Sequence, residues 1–593
     1  MPQAESVAIP KRLPLIVEPA NRDETTLKDA KLINGYVEKG REEGEYWIYK
    51  RPGTLAWGSV QTGTGRGVYN WLGDVYSIFG TTLYKNGVAV SGTLDATGGL
   101  YRFCQSCGAT PRMQFGNGVA TYNYDSGAGI VQITTTATVT AGAFLDGVSY
   151  TIATAGTTDF TLIGAANSTP GTVFTAGVVA TCTFAAATMT VVAFTTGTSF
   201  AVGMEIASTG LAAGITITSF ASGTGGVSSV CNLSATVGSA PARTVTVSGV
   251  GTGTGTATTP SNFPSATVKG IAYLDGTTYV MDSNASVRGC ASLNDPTAWS
   301  DVLNRLTAQI EPDGGVALNK QLVYIIAFGQ WSTEVFYDQM NPTASPLGPV
   351  QGAKINYGCA SADSIQEIDG VLLWIATNRG AAVQILLVEN LKPTIVSTKA
   401  IERLLGEADL SSVHSFGIKY EGHRFYGITL VNENITLVYD MTDQKWAQWT
   451  DQDGNYWPMV ACSFSETVGP ILQHESNGKL YQFDSEYTSD NGEYIVVDLY
   501  TPNFDGGVRR RKQLNVLEVI GDQTPGSFLQ VRSNDSDYAA DRWTNFRKVD
   551  LNLKKPMLVN NGSFMRRAYH FRHQCDTRMR IQGIELQLDI GTL

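Results

Sequence analysis

The chain has 593 residues, 63 of them glycine, a charged fraction of 16% and a formal net charge of −11. That length is too great for one core and implies about two to four domains. The acidic, sparsely charged balance argues against a protein that grips nucleic acid by counterion release, which needs clustered Lys and Arg.

Abundant Gly, Thr, Val and Tyr, with few helix-period stretches, predict mostly β structure. No run approaches the ~18 apolar residues of a membrane helix, and Met1–Ala20 lacks the apolar core of a secretory signal. The cysteines at 104, 107, 182, 231, 290, 359, 462 and 575 are too scattered for a disulfide scaffold, so a reducing place of synthesis is expected.

Residues 1–50 read as an N-terminal arm. Pro2, Pro10, Pro14 and Pro19 favour extended chain, and charges crowd from Arg22 to Glu45. Such an arm is expected to order against a neighbour.

From residue 51 a phrase recurs: a tight turn containing glycine, then a strand carrying an aromatic. It appears at Asn86-Gly87, Asn117-Gly118, Asp275-Gly276 and Asn477-Gly478, with Asn434-Ile435 as a relative lacking the glycine. Asn-Gly and Asp-Gly between alternating apolar segments signal hairpins, because both central residues of that turn need positive φ. Units starting near Gly65, Arg112, Val268, Ile310, Ser361, His414 and Met459 recur at about 40–55 residues, the range of a propeller blade. A β-propeller over 51–130 and 263–493 is therefore expected. It has six to eight blades, because a closing blade can borrow strands from both chain ends. One short helix is expected at Lys399–Glu407.

The interval from Arg112 to Val268 is too long for one blade. Between Val131 and Asn262 the charged residues are Asp146, Asp159, Glu205 and Arg243, against a background of Thr, Ala, Gly, Val and Ser. An inserted β domain at 131–262 explains both features. It reads as two nested modules with the seam near Ala176–Thr183 and Ser248–Gly251. Residues 494–593 read as a β-sandwich-like domain, from the period-two alternation of Gln513–Ile520, Phe528–Arg532 and Arg580–Leu588.

Chemistry-bearing residue types do not assemble into a recognisable motif. Cys104-Gln105-Ser106-Cys107 has half of a zinc spacing with no second half. In His570-Phe571-Arg572-His573-Gln574-Cys575-Asp576, a strand would turn His570 and His573 to opposite faces. Thr450–Trp457 approaches an Asp-box turn, but its aspartate is one place out of register and a single copy is evident. Val508–Lys512 and Met565–Arg567 are basic runs that fit either an acidic partner or DNA, or a solvated strand edge. No catalytic, cofactor-binding or metal residue is assigned, no cofactor is expected, and the chain reads as a non-enzyme.

Several collinear phrases resemble the tail-hub proteins of short-tailed bacteriophages, also called packaged-DNA stabilisation or tail-nozzle proteins. They are Asn34-Gly35-Tyr36-Val37-Glu38, Arg51-Pro52-Gly53-Thr54, Arg66-Gly67-Val68, Gly80–Lys85, Phe328–Phe336 and Ile581–Leu586. The resemblance covers 1–130 and 265–593 and leaves the insert aside. It implies a structural virion protein of the tail, made in the host bacterial cytoplasm. The ring would be a homo-oligomer, a hexamer below the portal and its adaptor protein. It would extend the DNA channel, retain the packaged genome until ejection and present sites for a tail fibre or spike. DNA would pass through the lumen without specific binding. Two other readings stay open: a host-receptor-binding adhesin or lectin-like propeller, and a glycan-cleaving propeller enzyme.

Overall fold

The computed structural model describes residues 9–13, 15, 30–40, 46–299, 304–308, 311–341, 344–380, 383–536 and 542–590. The chain divides into two compact units. One is Met1–Ile133 with Ala266–Thr297 and Leu303–Leu593; the other is Thr134–Ser265 with Ala298–Val302.

The larger unit is built mainly from small antiparallel sheets. Sheet 1 is Gly65–Trp71, Asp74–Phe79, Thr82–Lys85 and Val88–Ala89; sheet 2 is Arg102–Ser106, Arg112–Gly116, Thr121–Asp125 and Gly129–Ile133. Sheet 3 runs Ala272–Leu274, Thr277–Met281, Ser286–Gly289 and Arg305–Thr307, and sheet 4 runs Gly315–Gln321, Tyr324–Gly329, Thr333–Asp338 and Leu347–Pro349. In sheet 5, Gly358–Cys359 and Gln366–Ile368 pair with opposite halves of Val371–Thr377, followed by Gln384–Glu389 and Lys392–Ile395. Sheet 6 is Val413–Tyr420, His423–Leu430, Ile435–Asp440 and Lys445–Trp449. Sheet 7 is Met459–Ser465, Gly469–His474 and Leu480–Asp484, and its fourth strand is Gly53–Trp57 from the start of the chain.

Hairpin chemistry explains part of this pattern. Asn86 (φ 48°) with Gly87 (φ 81°), and Asp275 (φ 44°) with Gly276 (φ 89°), have the two left-handed residues that a two-residue hairpin requires. At Asn117-Gly118 and Asn477-Gly478 only the glycine is left-handed. There the asparagine closes a local turn through its side chain: Asn117 Oδ1 accepts from the amides of Val119 and Ala120 at 3.0 and 2.9 Å. The sheets begin close to the expected positions except sheet 2, where Arg112 opens the second strand; Ile310 lies outside the described residues.

Each sheet packs on the next through residues facing out of its pleat. Met113 and Tyr122 of sheet 2 meet Tyr76 and Leu83 of sheet 1. Phe328 of sheet 4 lies edge-on to Trp374 of sheet 5, centroids 5.1 Å apart, and Phe416 of sheet 6 meets Trp457, just before sheet 7, at 5.3 Å. Ile471 and Leu480 of sheet 7 pack on Val68 and Phe79 of sheet 1. Between sheets 2 and 3, where the chain leaves for the insert, the link is instead an ion pair of Arg112 with Asp295. The helix Lys399–Glu407 follows sheet 5: Thr398 caps it by accepting the Ile401 amide, and Ile401 and Leu405 are buried.

The C-terminal residues form a sandwich, and strands from the first fifty residues belong to it. One layer contains Gly35–Lys39, Tyr46–Lys50, Arg580–Ile590, Lys512–Gly521 and Met557–Val559; Ile9–Arg12 also pairs with Arg580–Ile590. The other contains Lys31–Ile33, Val497–Tyr500, Ala568–His573, Phe528–Asn534 and Arg547–Asp550, and Ile33 joins it to sheet 6 by a parallel pairing with Gln448. Leu32, Val37 and Ile48 share a core with Leu499, Leu517, Val531, Phe571 and Ile584. Of the segment expected as an arm, residues 31–39 and 46–50 are thus core strands; 22–29 and 41–45 lie outside the described residues.

The smaller unit holds two sheets. Thr136–Thr140, Thr256–Pro260, Ser149–Thr154 and Val173–Thr175 form one, over Phe144, Phe160 and Phe174. Ile217–Ser222, Val230–Leu233, Thr188–Thr196, Val178–Ala185 and Ala240–Val247 form the other, over Val191, Phe200 and Met204. The chain passes between them at Ala176–Val178 and returns at Val247–Val250. Sheet 2 of the larger unit keeps Gly129–Ile133, so the insert begins at Thr134 rather than 131.

Candidate functional site

One strand edge from each of sheets 1 to 7 borders one cavity of about 250 Å³. Val68, Phe103, Leu318, Gln366, Ser415 and Ala461 line it from six of the sheets, and Ile271 lines it from just before the first strand of sheet 3. Close backbone approach builds this wall. Gly270 has φ 108°, and a Cβ there would lie 1.8 Å from the carbonyl oxygen of Leu318, so glycine is required for sheets 3 and 4 to meet. Gln473 of sheet 7 ties to sheet 1 by accepting the Gly67 amide at 2.6 Å and donating to Ile78 O at 2.8 Å.

Two cations that line the cavity share one carboxylate beside it. Lys269 Nζ lies 2.6 Å from Asp363 Oδ2, and Arg102 Nη2 is 3.9 Å from Asp363 Oδ1. Ser415 Oγ donates to the Asp363 carbonyl, and Gln366 Nε2 donates to Ser415 O at 2.9 Å, so this serine is engaged with backbone rather than with a base. Burial pushes the nearby Cys462 thiol up to about 12, which keeps it protonated at neutral pH. A cavity of this volume accommodates a cluster of about eight or more waters and is far too small for a duplex, whose major groove alone is about 12 Å wide.

Below sheets 6 and 7, a buried network joins the two ends of the chain. The Arg51 guanidinium is fully buried; Nη1 donates to Asp490 Oδ1 at 3.0 Å and Nη2 to Asp490 Oδ2. It lies 5.0 Å from the Trp457 ring and 5.7 Å from Trp449. Asn34 accepts from Arg51 Nε at 3.1 Å and donates to Val496 O at 2.9 Å.

Nearby, His423 Nδ1 is 2.6 Å from Asp440 Oδ2 and Nε2 is 3.3 Å from Glu38 Oε1. Burial works to lower this imidazole, but hydrogen bonds and charge from Asp440 and Glu38 outweigh it and raise it above the usual range. His423, Asp440 and Asp443 are the one trio among the described residues with metal-compatible donor spacing. No local motif marks it, because Glu38 and the Asp440–Asp443 turn meet His423 only through strand packing.

The ligand-like sequence features have structural partners. Cys104 Sγ contacts Gln114 Oε1 at 3.3 Å, while Cys107 is exposed. His570 and His573 are both fully buried, on opposite faces of their strand. His570 Nε2 bonds Asp498 Oδ1 at 2.6 Å and the ring stacks on Tyr500 at 3.9 Å; His573 Nε2 bonds Ser527 Oγ at 2.9 Å. Asp451 spends a carboxylate oxygen on the amides of Asp453 and Asn455, which closes its own loop. Lys512 and Arg567 are buried, the latter paired with Asp535, whereas Arg509, Arg510 and Arg511 are exposed.

A family model described as "Bacteriophage P22 Gp10, beta-propeller" matches residues 230–487. That match supports a phage tail protein and a virion component. No curated protein matches. Solved structures similar to the chain include the computationally designed Ika8 protein, with 8% identity and a TM-score of 0.31 over 73% of this chain and 100% of that one. BamB from Moraxella catarrhalis gives 8% identity and 0.28 over 74% and 98%. The exo-beta-1,3-galactanase of Phanerochaete chrysosporium gives 11% and 0.22 over 54% and 95%. Likenesses this weak carry no argument about activity.

Proposed function

We propose that the chain is a seven-bladed β-propeller with a C-terminal sandwich, acting as a structural hub or nozzle protein of a short-tailed phage tail. The observation that carries this reading is the phage-propeller match over 230–487. It is supported by seven small sheets around one axial cavity, the last completed by Gly53–Trp57 from the other end of the chain. A propeller closed by joining its ends is a rigid building block.

The axial cavity is too small to conduct DNA, so the conduit in this reading lies between copies. A ring of six, below the portal and adaptor, closes through heterologous interfaces that repeat around an axis. It retains the packaged genome until ejection and offers its outer surface to a fibre or spike. The role is mechanical, with no catalytic step assigned. Immunogold electron microscopy of phage particles, with antibody against the chain, tests the reading. Label at the tail below the capsid is expected. Label confined to fibre tips would favour the adhesin, and polysaccharide turnover by purified protein would favour the enzyme.

A further inference from the structure

The charges are unevenly distributed along the chain. Residues 494–593 hold 15 of the 42 Lys and Arg and 11 of the 53 Asp and Glu, a net charge of +4; the preceding 493 residues carry −15. Within the sandwich, basic residues gather at one end. Arg509, Arg510 and Arg511 are exposed on the loop leading into Lys512–Gly521. That loop is braced: Lys512 is buried and its ammonium donates to the carbonyls of Val508, Arg510 and Met565. Arg511 Nε donates to Ser563 Oγ at 3.1 Å, and exposed Arg547 donates to Asn561 Oδ1 at 2.9 Å, which places it on the same 559–563 segment.

Apolar side chains are exposed among these arginines. Met565 is 58% exposed and Val508 36%; Val559, on a strand at the edge of the layer, is 48% exposed. Arginine and methionine interleaved on a braced surface are the composition of a protein interface, where a phosphate track would show basic residues in a polar setting.

We propose that this basic, methionine-bearing end of the sandwich docks on an acidic surface of a second copy of the same chain. It rests on the ring reading above and names the contact that would hold the ring. The acidic balance of the preceding 493 residues is what such an end would meet on the next copy, and a contact between unlike surfaces of identical copies is head-to-tail and repeats. Opposed potentials of this kind steer association and fix register.

Sedimentation velocity on the full chain at about 50 mM salt tests it, since screening at that ionic strength is weak. Wild type is expected to self-associate, and the association is expected to fall with added salt. The triple variant Arg509→Glu, Arg510→Glu, Arg511→Glu should weaken it by at least about tenfold. Because its acidic surface is intact, the variant should still accept one wild-type copy and terminate growth in mixtures; a misfolded variant would not. Arg510→Ala with Met565→Ala provides a milder second variant. A monomeric wild type at low salt, or equal association of wild type and both variants, overturns the proposal. So does loss of duplex-DNA binding by the triple variant with self-association unchanged. None of these results moves the immunogold label, which judges the tail reading separately.

Discussion

Arg51 Nε donates to Asn34 Oδ1 at 3.1 Å, and through that bond the strand entering the sandwich is fastened to the strand that completes sheet 7. The same guanidinium holds Asp490 with both of its terminal nitrogens while lying against the rings of Trp449 and Trp457, which also touch each other. Asn34 and Arg51 belong to two of the phrases that set this sequence apart, and the fold brings them together. Removing one partner of a buried ion pair leaves the other desolvated, at a cost of about 3–5 kcal/mol. Arg51→Met is expected to destabilise the larger unit by about that amount. Arg51→Lys should recover little, because an ammonium lacks the fork that serves Asp490 and Asn34 together. Urea unfolding followed by tryptophan fluorescence checks both, since two tryptophans report on the site directly.

Gly53 makes the adjoining prediction. A Cβ there would sit 2.3 Å from the carbonyl oxygen of Ser489 and 2.6 Å from that of Tyr487, so the closing strand has no room for a side chain. Gly53→Ala should pry Gly53–Trp57 from sheet 7 and expose Leu55 and Trp57 to proteolysis, where limited chymotrypsin digestion with mass spectrometry would find the cuts.

Two histidines are expected to respond to pH with opposite sign. His423, raised by Asp440 and Glu38 against the effect of burial, contributes stability that is complete below its unfolded value of about 6.5. That contribution is lost as pH rises through its higher folded value. His573, fully buried with Nδ1 lacking a hydrogen-bond partner, is lowered to about 3 by burial and then by Lys50. Its neutral form contributes stability above about pH 6.5, and that is lost as pH falls, at about 1.4 kcal/mol per pH unit while the unfolded state alone is protonated. His423→Gln should flatten the slope of stability above pH 6.5, and His573→Gln the slope between pH 4 and 6. Denaturation midpoints across that range separate the two.

Local signals made the repeated sheets legible, and non-local ones hid the joins. Asn86-Gly87 and Asp275-Gly276 form the hairpins their residues predict, because the turn is decided by φ at two adjacent positions. Thr398 with Ile401 and Leu405 likewise fixes a short helix from within its own span. The first fifty residues read as an arm because proline and charge dominate locally, whereas Leu32, Val37 and Ile48 find their core among strands more than 400 residues away. The basic runs could not be divided by sequence either. Lys512 is held by the carbonyls of Val508 and Arg510 on its own loop and of Met565 on another, while its neighbours Arg510 and Arg511 face solvent, and alternation alone does not distinguish those fates.

The insert's inner module is expected to be separable. Its core of Val178, Val191, Phe200, Met204, Ile217 and Val245 is distinct from that of the outer module, which centres on Phe144, Phe160 and Phe174. The four charges of the insert are spent on tying its loops: Asp146 accepts the Gly249 amide, Asp159 the Thr161 amide, Glu205 the Gly214 amide, and Arg243 donates to Thr209 O. The module's entry and exit lie side by side, since Val178 pairs with Val247 and a Cβ on Gly249 would fall 2.2 Å from the amide nitrogen of Gly177. Excising 177–248 and joining Ala176 to Gly249 should therefore leave the outer module's core intact. Residues 177–248 expressed alone should give a dispersed proton NMR spectrum. A collapsed spectrum for the fragment, or aggregation of the shortened chain, would mean that the two cores depend on each other despite their separate residues.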